Sequence, residues 1–445
     1  MHPARVFETH HSLGGLPLAD HAVFRPATQS ARARPAPITC AVSAATARVR
    51  DAVEDVVQPV ELPRPLIDVD ALEASSPYVS DALPSFDFDY DLRPAEKLFT
   101  DLMTTDDLDK KLRTDPSLQC TATKVQQVVR AALKRAFSAS PGTEPDTSAH
   151  LFVQRALYKI NRAAFFWYDN LANYKNERSI FFAEIREDIE EAWFAWEVQQ
   201  HVPDIETLRR MNTEQVVAAL QQGYEEDLDP PLGPLAQYIK EEVGNEGYKH
   251  MMAVGSVDGL VEASKMSRVT GGVGNETMCA IYRIGMEEYG TGRFSKKHSS
   301  FYGMNMKQLG LCVEPEFYFD ICPWQTLSVI NLEFIFSERR RNYLKFAGGL
   351  CYFEIAGPSI YQAYVAGAHR LNHDGTAADY WDLHVGEDLR HGKQMVDDVV
   401  IPLVSKYPND AWELVMGYRM ERSVAARAGE NLLKDLKAVD RVTQQ

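Results

Sequence analysis

The run YWDLHVGEDLRHG at 380–392 places His384, Asp388 and His391 at i, i+4 and i+7. On an α-helix these positions project from one face, each about a turn above the last. Two imidazoles and a carboxylate on one stripe form part of a metal shell, and the mixed nitrogen and oxygen donors suit iron. The same residue types also fall together on ordinary solvated helix faces. Glu354 lies upstream in GGLCYFEIAGP, an apolar stretch that reads as a helix ended by Gly357-Pro358. An acid in such a stripe is costly unless paired or ligated. Its two readings are a metal ligand and a salt bridge to Arg339, Arg340 or Arg341.

Two earlier segments add candidates. MEEYGTGRFSKKHSSFYGMNMKQLGL carries Glu287, Glu288 and His298. On an unbroken helix Glu287, not Glu288, would share the face of His298. Gly290 and Gly292 argue against an unbroken helix, so phase leaves both acids open. Glu262, in VGSVDGLVEASKM, reads equally as a ligand and as a surface acid. Tyr289, Phe301, Tyr302, Phe353 and Tyr380 adjoin these residues as pocket lining or plain core. Arg390 adjoins His391 as a substrate-carboxylate anchor, a surface arginine or a partner of the ligands.

These side chains need helices to position them, and the chain supplies little else. KVQQVVRAALKRAF shows a stripe of Val125, Val128, Val129, Ala132 and Leu133. Helical text runs from Glu96, resumes at His150 after the Ser138–Ser148 loop, and is interrupted at Pro203 and at DLDPPLGP, 227–234. Beyond Leu235 long helices are expected, cut at 271–274, 290–292, 313–323, 348–349, 357–358 and 402–408. Alternating strand patterns are nearly absent, so the fold class is all-α and the helix lengths suit a bundle. Residues 1–65 read as a disordered arm and 66–95 as an extended segment packed on the folded body. The acid-poor stretch 1–50 also fits an organellar transit peptide.

The 445-residue chain has a formal net charge of -16, which argues against nucleic acid as a partner. No apolar run is long enough to span a bilayer. The six cysteines form no C-x-x-C pair and read as reduced, buried thiols of a cytoplasmic protein. Four helices could thus each offer inward acids or imidazoles, as in di-iron carboxylate bundles, although no pair of Glu-x-x-His motifs occurs. A metal-free helical binding protein would instead leave these side chains scattered.

The ordered set resembles the heme-oxygenase-like diiron oxidases, also called iron-containing redox enzymes. The resemblance rests on Glu262, then EEYG with His298 ten residues after Glu288, then Glu354, then HVGEDLRH, and covers roughly residues 235–435. The gaps between these positions resemble those of the amine N-oxygenase branch, which includes the diiron domain of the streptozotocin N-oxygenase. The resemblance implies a heme-oxygenase-like domain over 236–445, with 66–235 as an accessory helical region that supports a homodimer. It implies metal ligands at Glu262, Glu288, His298, Glu354, His384, Asp388 and His391. The implied cofactors are two Fe ions with O2 as co-substrate and no heme. An external reductant is expected, and the substrate would be a small amine, guanidine or aminoheterocycle of natural-product biosynthesis. With no cupin text after the helical part, the reaction is expected to stop at N-oxygenation. Cleavage of a C–C bond, or decarboxylation of an amino or fatty acid, would use the same ligands.

Overall fold

Capping residues set where the first long helices begin. Asp115 accepts from the backbone N–H groups of Ser117 and Leu118, and Pro116 fills the first turn of the helix Pro116–Phe137. Asn212 and Gln215 close a reciprocal capping box at the start of Thr213–Leu228. The computed structural model describes residues 91–443, apart from 139–144, 166, 168–169, 202–204, 273–274 and 374–375. The expected arm over 1–65 and most of the segment 66–95 lie outside the described residues; residues 93–95 already belong to a helix.

Among the described residues there are sixteen α-helices and no strand. The first seven are α1 (Arg93–Met103), α2 (Leu108–Lys111), α3 (Pro116–Phe137), α4 (Thr147–Arg162), α5 (Ile180–His201), α6 (Ile205–Arg209) and α7 (Thr213–Leu228). The break expected at 227–234 separates them from α8 (Pro234–Glu241) and α9 (Asn245–Gly259). Then follow α10 (Glu276–Glu288), α11 (His298–Gln308), α12 (Trp324–Glu338), α13 (Tyr343–Arg370) and α14 (Thr376–Gln394). A π-helical turn, Met395–Val400, joins α14 to α15 (Ile401–Lys406), and α16 (Trp412–Thr443) closes the chain. The fold is an all-α, heme-oxygenase-like bundle.

The long central helix α13 packs along α14 on one side and α16 on another. One hydrophobic core runs from Phe99 of α1 to Val424 of α16 and so draws on helices before and after residue 235. Arg155 of α4 adds a polar tie, bonding Glu96 at 2.9 Å and Asp320 of the α11–α12 connection at 2.6 Å.

Two expected breaks do not occur. Gly348-Gly349 and Gly357-Pro358 both lie inside α13, which runs unbroken from Tyr343 to Arg370. At Gly348 the absent Cβ is a packing requirement: a methyl there would sit 2.0 Å from the carbonyl oxygen of Leu414 on α16. Pro358 removes one hydrogen bond of its helix, but neighbours packed along both sides hold the element straight through. Pro402 likewise falls inside a continuous helical run, directly after the π-helical turn Met395–Val400, and the break follows Lys406. Of the cysteines described, Cys312, Cys322 and Cys351 are buried as expected, while Cys120 and Cys279 are exposed; none forms a disulfide. Among the described residues no helix is long and apolar enough to cross a membrane.

Candidate metal centre

The helix α10 starts at an Asn275 cap, whose side chain accepts from Met278 N, and its last residue is Glu288. The chain then reverses through Gly290, whose φ of +61° is left-handed. A Cβ at Gly290 would lie 2.4 Å from the backbone of Lys296, so only glycine fits. This tight turn sets His298, the first residue of α11, back against the end of α10. Glu288 Oε2 then lies 2.7 Å from His298 Nδ1. The break explains why helical phase could not choose between the two acids. Glu288 points inward and is buried, whereas Glu287 points to the other side of His391.

All seven side chains expected as ligands converge. His298 Nδ1 and His384 Nε2 are 3.0 Å apart. Glu262, in the turn after α9, brings Oε1 to 3.2 Å from His384 Nε2. His391 Nδ1 lies 3.2 Å from Glu354 Oε2 and 3.8 Å from both Glu288 Oε1 and Asp388 Oδ1. Two groups of donors result, each with its atoms within 4.8 Å of one another. One holds Glu262, Glu288, His298 and His384; the other holds Glu288, Glu354 and His391, with Asp388 at its edge. Glu288 belongs to both and turns a different oxygen to each.

The imidazoles share one orientation. Each aims a nitrogen into the cluster and the other at an outer oxygen. His384 Nδ1 donates to the Tyr380 carbonyl at 2.8 Å, leaving Nε2 for the cluster. His391 Nε2 donates to Glu287 Oε2 at 2.7 Å, leaving Nδ1. His298 Nε2 faces Glu387 Oε2 at 3.7 Å. Outer acceptors of this kind fix ring orientation and tautomer in metal-bound histidines. Glu287 and Glu387 form a third acidic group about His391, but Arg390 already supplies its cation, 2.6 Å from Glu287. Arg390 is therefore a partner of the outer acids. Glu354 makes no pair with Arg339, which instead bonds Glu187 and Glu190.

Electrostatics show strain without a cation. Burial and the neighbouring charge of Glu354 push the Asp388 carboxyl well above its usual range. Burial also raises Glu354, against the opposing bond to His391. Burial, the largest single influence, would lower His391, but the bond and charge of Glu354 together with Glu287 and Glu288 outweigh it and push the imidazole up to about 9. His384 is likewise held well above its ordinary value, burial being outweighed by Glu262. Glu262 is lowered: burial, the largest single influence, opposes this, and the charge and bond of His384 prevail only together with His298 and Tyr380. Its Oε2 is buried without a hydrogen-bond partner. No lysine or arginine forms an ion pair with Glu262, Glu288, Glu354 or Asp388 among the described residues. Three buried carboxylates and the half-buried Glu262, whose ion-pair partners among the described residues are imidazoles alone, fit two divalent cations, which would balance their charge.

The flanking aromatics divide. Tyr380 donates its hydroxyl to Glu262 Oε1 at 2.7 Å, and Tyr302 donates to the Met252 carbonyl at 2.7 Å. Tyr289 is exposed and carries Lys297 over its ring, while Phe301 and Phe353 are half-buried. Sequence reasoning passed over Glu387 and the outer role of Glu287. The available signal was Glu387 at i+3 from His384 and i−4 from His391, on the ligand stripe of α14.

Residues 250–426 match the sequence model of a family described as iron-containing redox enzymes. The matched stretch contains all seven converging side chains. It supports an oxidoreductase that binds iron. No curated protein matches the chain.

Proposed function

We propose that the chain is a non-heme diiron N-oxygenase. It would use O2 to convert an amine, guanidine or aminoheterocycle nitrogen to a hydroxylamine, nitroso or nitro group. The observation that carries this reading is Glu288, shared between two donor groups in which His384 and His391 each hold an outer acceptor. Glu262, His298 and His384 would hold one iron, and Glu354, Asp388 and His391 the other, with Glu288 between them. Bound as Fe(II), the pair supplies the electrons that activate O2. The protein's own part is to orient the imidazoles, to keep the ligands dry and to seat the substrate nitrogen. Glu287 and the Tyr380 carbonyl hold the outer protons of His391 and His384, so both rings offer lone pairs inward. Glu288, an acid beyond the six other ligands, favours N-oxygenation over C–C cleavage. An external reductant restores Fe(II) between turnovers.

The test is anaerobic loading with Fe(II) and mixing with O2 in a stopped-flow spectrometer. Two irons per chain and a transient visible absorption, absent in His384→Ala, are expected. Amines that accelerate its decay should yield a product carrying one added oxygen atom. Iron uptake without any oxygen-dependent absorption, or no uptake at all, would sink the proposal.

A further inference from the structure

Aromatic residues are sorted unevenly through this core. In the upstream half phenylalanine rings pair with one another, as in Phe99–Phe182 and Phe181–Phe182. Around His384 the contacting carbocyclic rings among the described residues are those of Tyr361 and Tyr380, and Trp381 packs against both. Trp381, one turn before His384 on α14, touches Tyr302, Tyr361, Tyr364 and Tyr380 and donates its Nε1–H to Tyr248 Oη at 3.1 Å. Phenylalanine would fill this space without burying hydroxyl groups, whose desolvation is costly. Packing alone does not account for the choice. Tyrosine and tryptophan differ from phenylalanine in another respect: they can be oxidised by one electron.

These rings form a continuous path. Tyr361 lies 5.4 Å from the His384 ring, centre to centre, and stacks on Trp381 at 5.3 Å. Trp381 is bonded to Tyr248, whose ring lies 5.8 Å from that of the partly exposed His373. Separations of this size allow electrons to pass between rings faster than enzymes turn over.

We propose that Trp381 is a one-electron relay that carries oxidising equivalents from the candidate metal centre to the surface beside His373. The proposal rests on the iron-oxygenase reading above. When no amine is present to be oxidised, Trp381 would give one electron, across Tyr361, to iron held oxidised at that centre. The indole is left as a radical cation and keeps its Nε1 proton on the bond to Tyr248. One electron from an outer-sphere donor at the surface, such as ferrocyanide, then crosses Tyr248 and restores the indole. The centre is reduced by one electron and the donor oxidised by one. No bond forms or breaks, and no proton moves.

Two measurements on the full chain test this. In the first, a ruthenium polypyridyl photo-oxidant is attached at His373→Cys and triggered by a flash. An indole radical should form, and Trp381→Phe should remove most of its amplitude. Equal amplitude in the two proteins would overturn the relay, whether or not iron binds. In the second, protein of measured iron content meets O2 and ferrocyanide without amine. Ferricyanide formation should fall at least tenfold in Trp381→Phe and return in Trp381→Tyr, with oxidative modification in the Phe variant moving to His384 and Tyr380 by peptide mass spectrometry. An unchanged rate in Trp381→Phe would overturn the proposal. Absence of iron uptake would fail the diiron reading instead, leaving the flash measurement to decide the relay.

Discussion

Two clusters of carboxylates lie inside the C-terminal bundle, and they are neutralised differently. Around Lys265, Asp258 stands at 2.6 Å and Glu333 at 2.7 Å, with the buried Glu421 close enough to feel both Glu333 and the lysine. That cluster carries its own cation. Burial still pushes Glu333 up to about 7 and holds Glu421 well above its usual range. At the candidate metal centre four acids pair with three imidazoles, and among the described residues no lysine or arginine forms an ion pair with them, Lys297 acting on Glu262 and Glu288 only from farther away. A fold accepts buried acids when a cation is close, from the chain or from outside. The first cluster has its cation within the chain; the second has a donor set that could take one from outside.

The comparison can be broken at either cluster. Glu288→Ala removes the acid common to both donor groups. The fall in iron affinity should exceed the roughly 100-fold that loss of an outer partner causes. Iron content should drop from two per chain to less than one, read by elemental analysis. The metal-free variant should unfold at the same temperature or higher, because one of four crowded acids is gone. Lys265→Met should do the reverse. It leaves Asp258 and Glu333 without their cation and should cost about 3–5 kcal/mol of stability, read by denaturant unfolding, with iron stoichiometry unchanged. If Lys265→Met lost iron instead, the two clusters would be one functional unit.

The same contrast explains what was legible in the sequence. His384, Asp388 and His391 could be read because helical spacing alone puts them on one stripe of α14. Glu354 could be read because an acid in an apolar run demands a partner. The choice of Glu288 over Glu287 could not, since it depends on the reversal at Gly290, a tertiary close approach that phase arguments do not contain. Lys265 gave no signal either: its partners Asp258 and Glu333 come from α9 and α12, and nothing in a single helix announces the meeting. The all-α class was plain from periodicity. The continuity of α13 through Gly348 and Pro358 was not, because packing by α14 and α16 overrides local helix-breaking chemistry.

Smaller effects sharpen the comparison within the metal centre itself. Glu287→Gln keeps an acceptor beside His391 Nε2 but removes the charge, and should weaken iron binding by about tenfold, measured by competition with a chelator. That loss should be well below that of Glu288→Ala; equal losses would place both acids on the metal. The gentlest probe is pH. In the metal-free protein burial pulls His391 down, but Glu354 together with Glu287 and Glu288 raises it from 6.5 to about 9. Sign follows from linkage: this stabilisation is fully present below 6.5 and is lost as pH rises through 9, so the metal-free fold weakens over that window. A metal needs the neutral imidazole and must expel that proton. Binding of Mn(II), taken as a redox-stable probe, should therefore strengthen by up to about tenfold per pH unit between 6.5 and 8 for each proton released. An indicator dye in weak buffer should register that release. Opposite slopes of metal-free stability and metal affinity are the signature of a cluster that exchanges protons for metal. The Lys265 cluster, whose cation never leaves, contributes no such exchange, so a flat affinity profile would mean that the two clusters do not differ in kind.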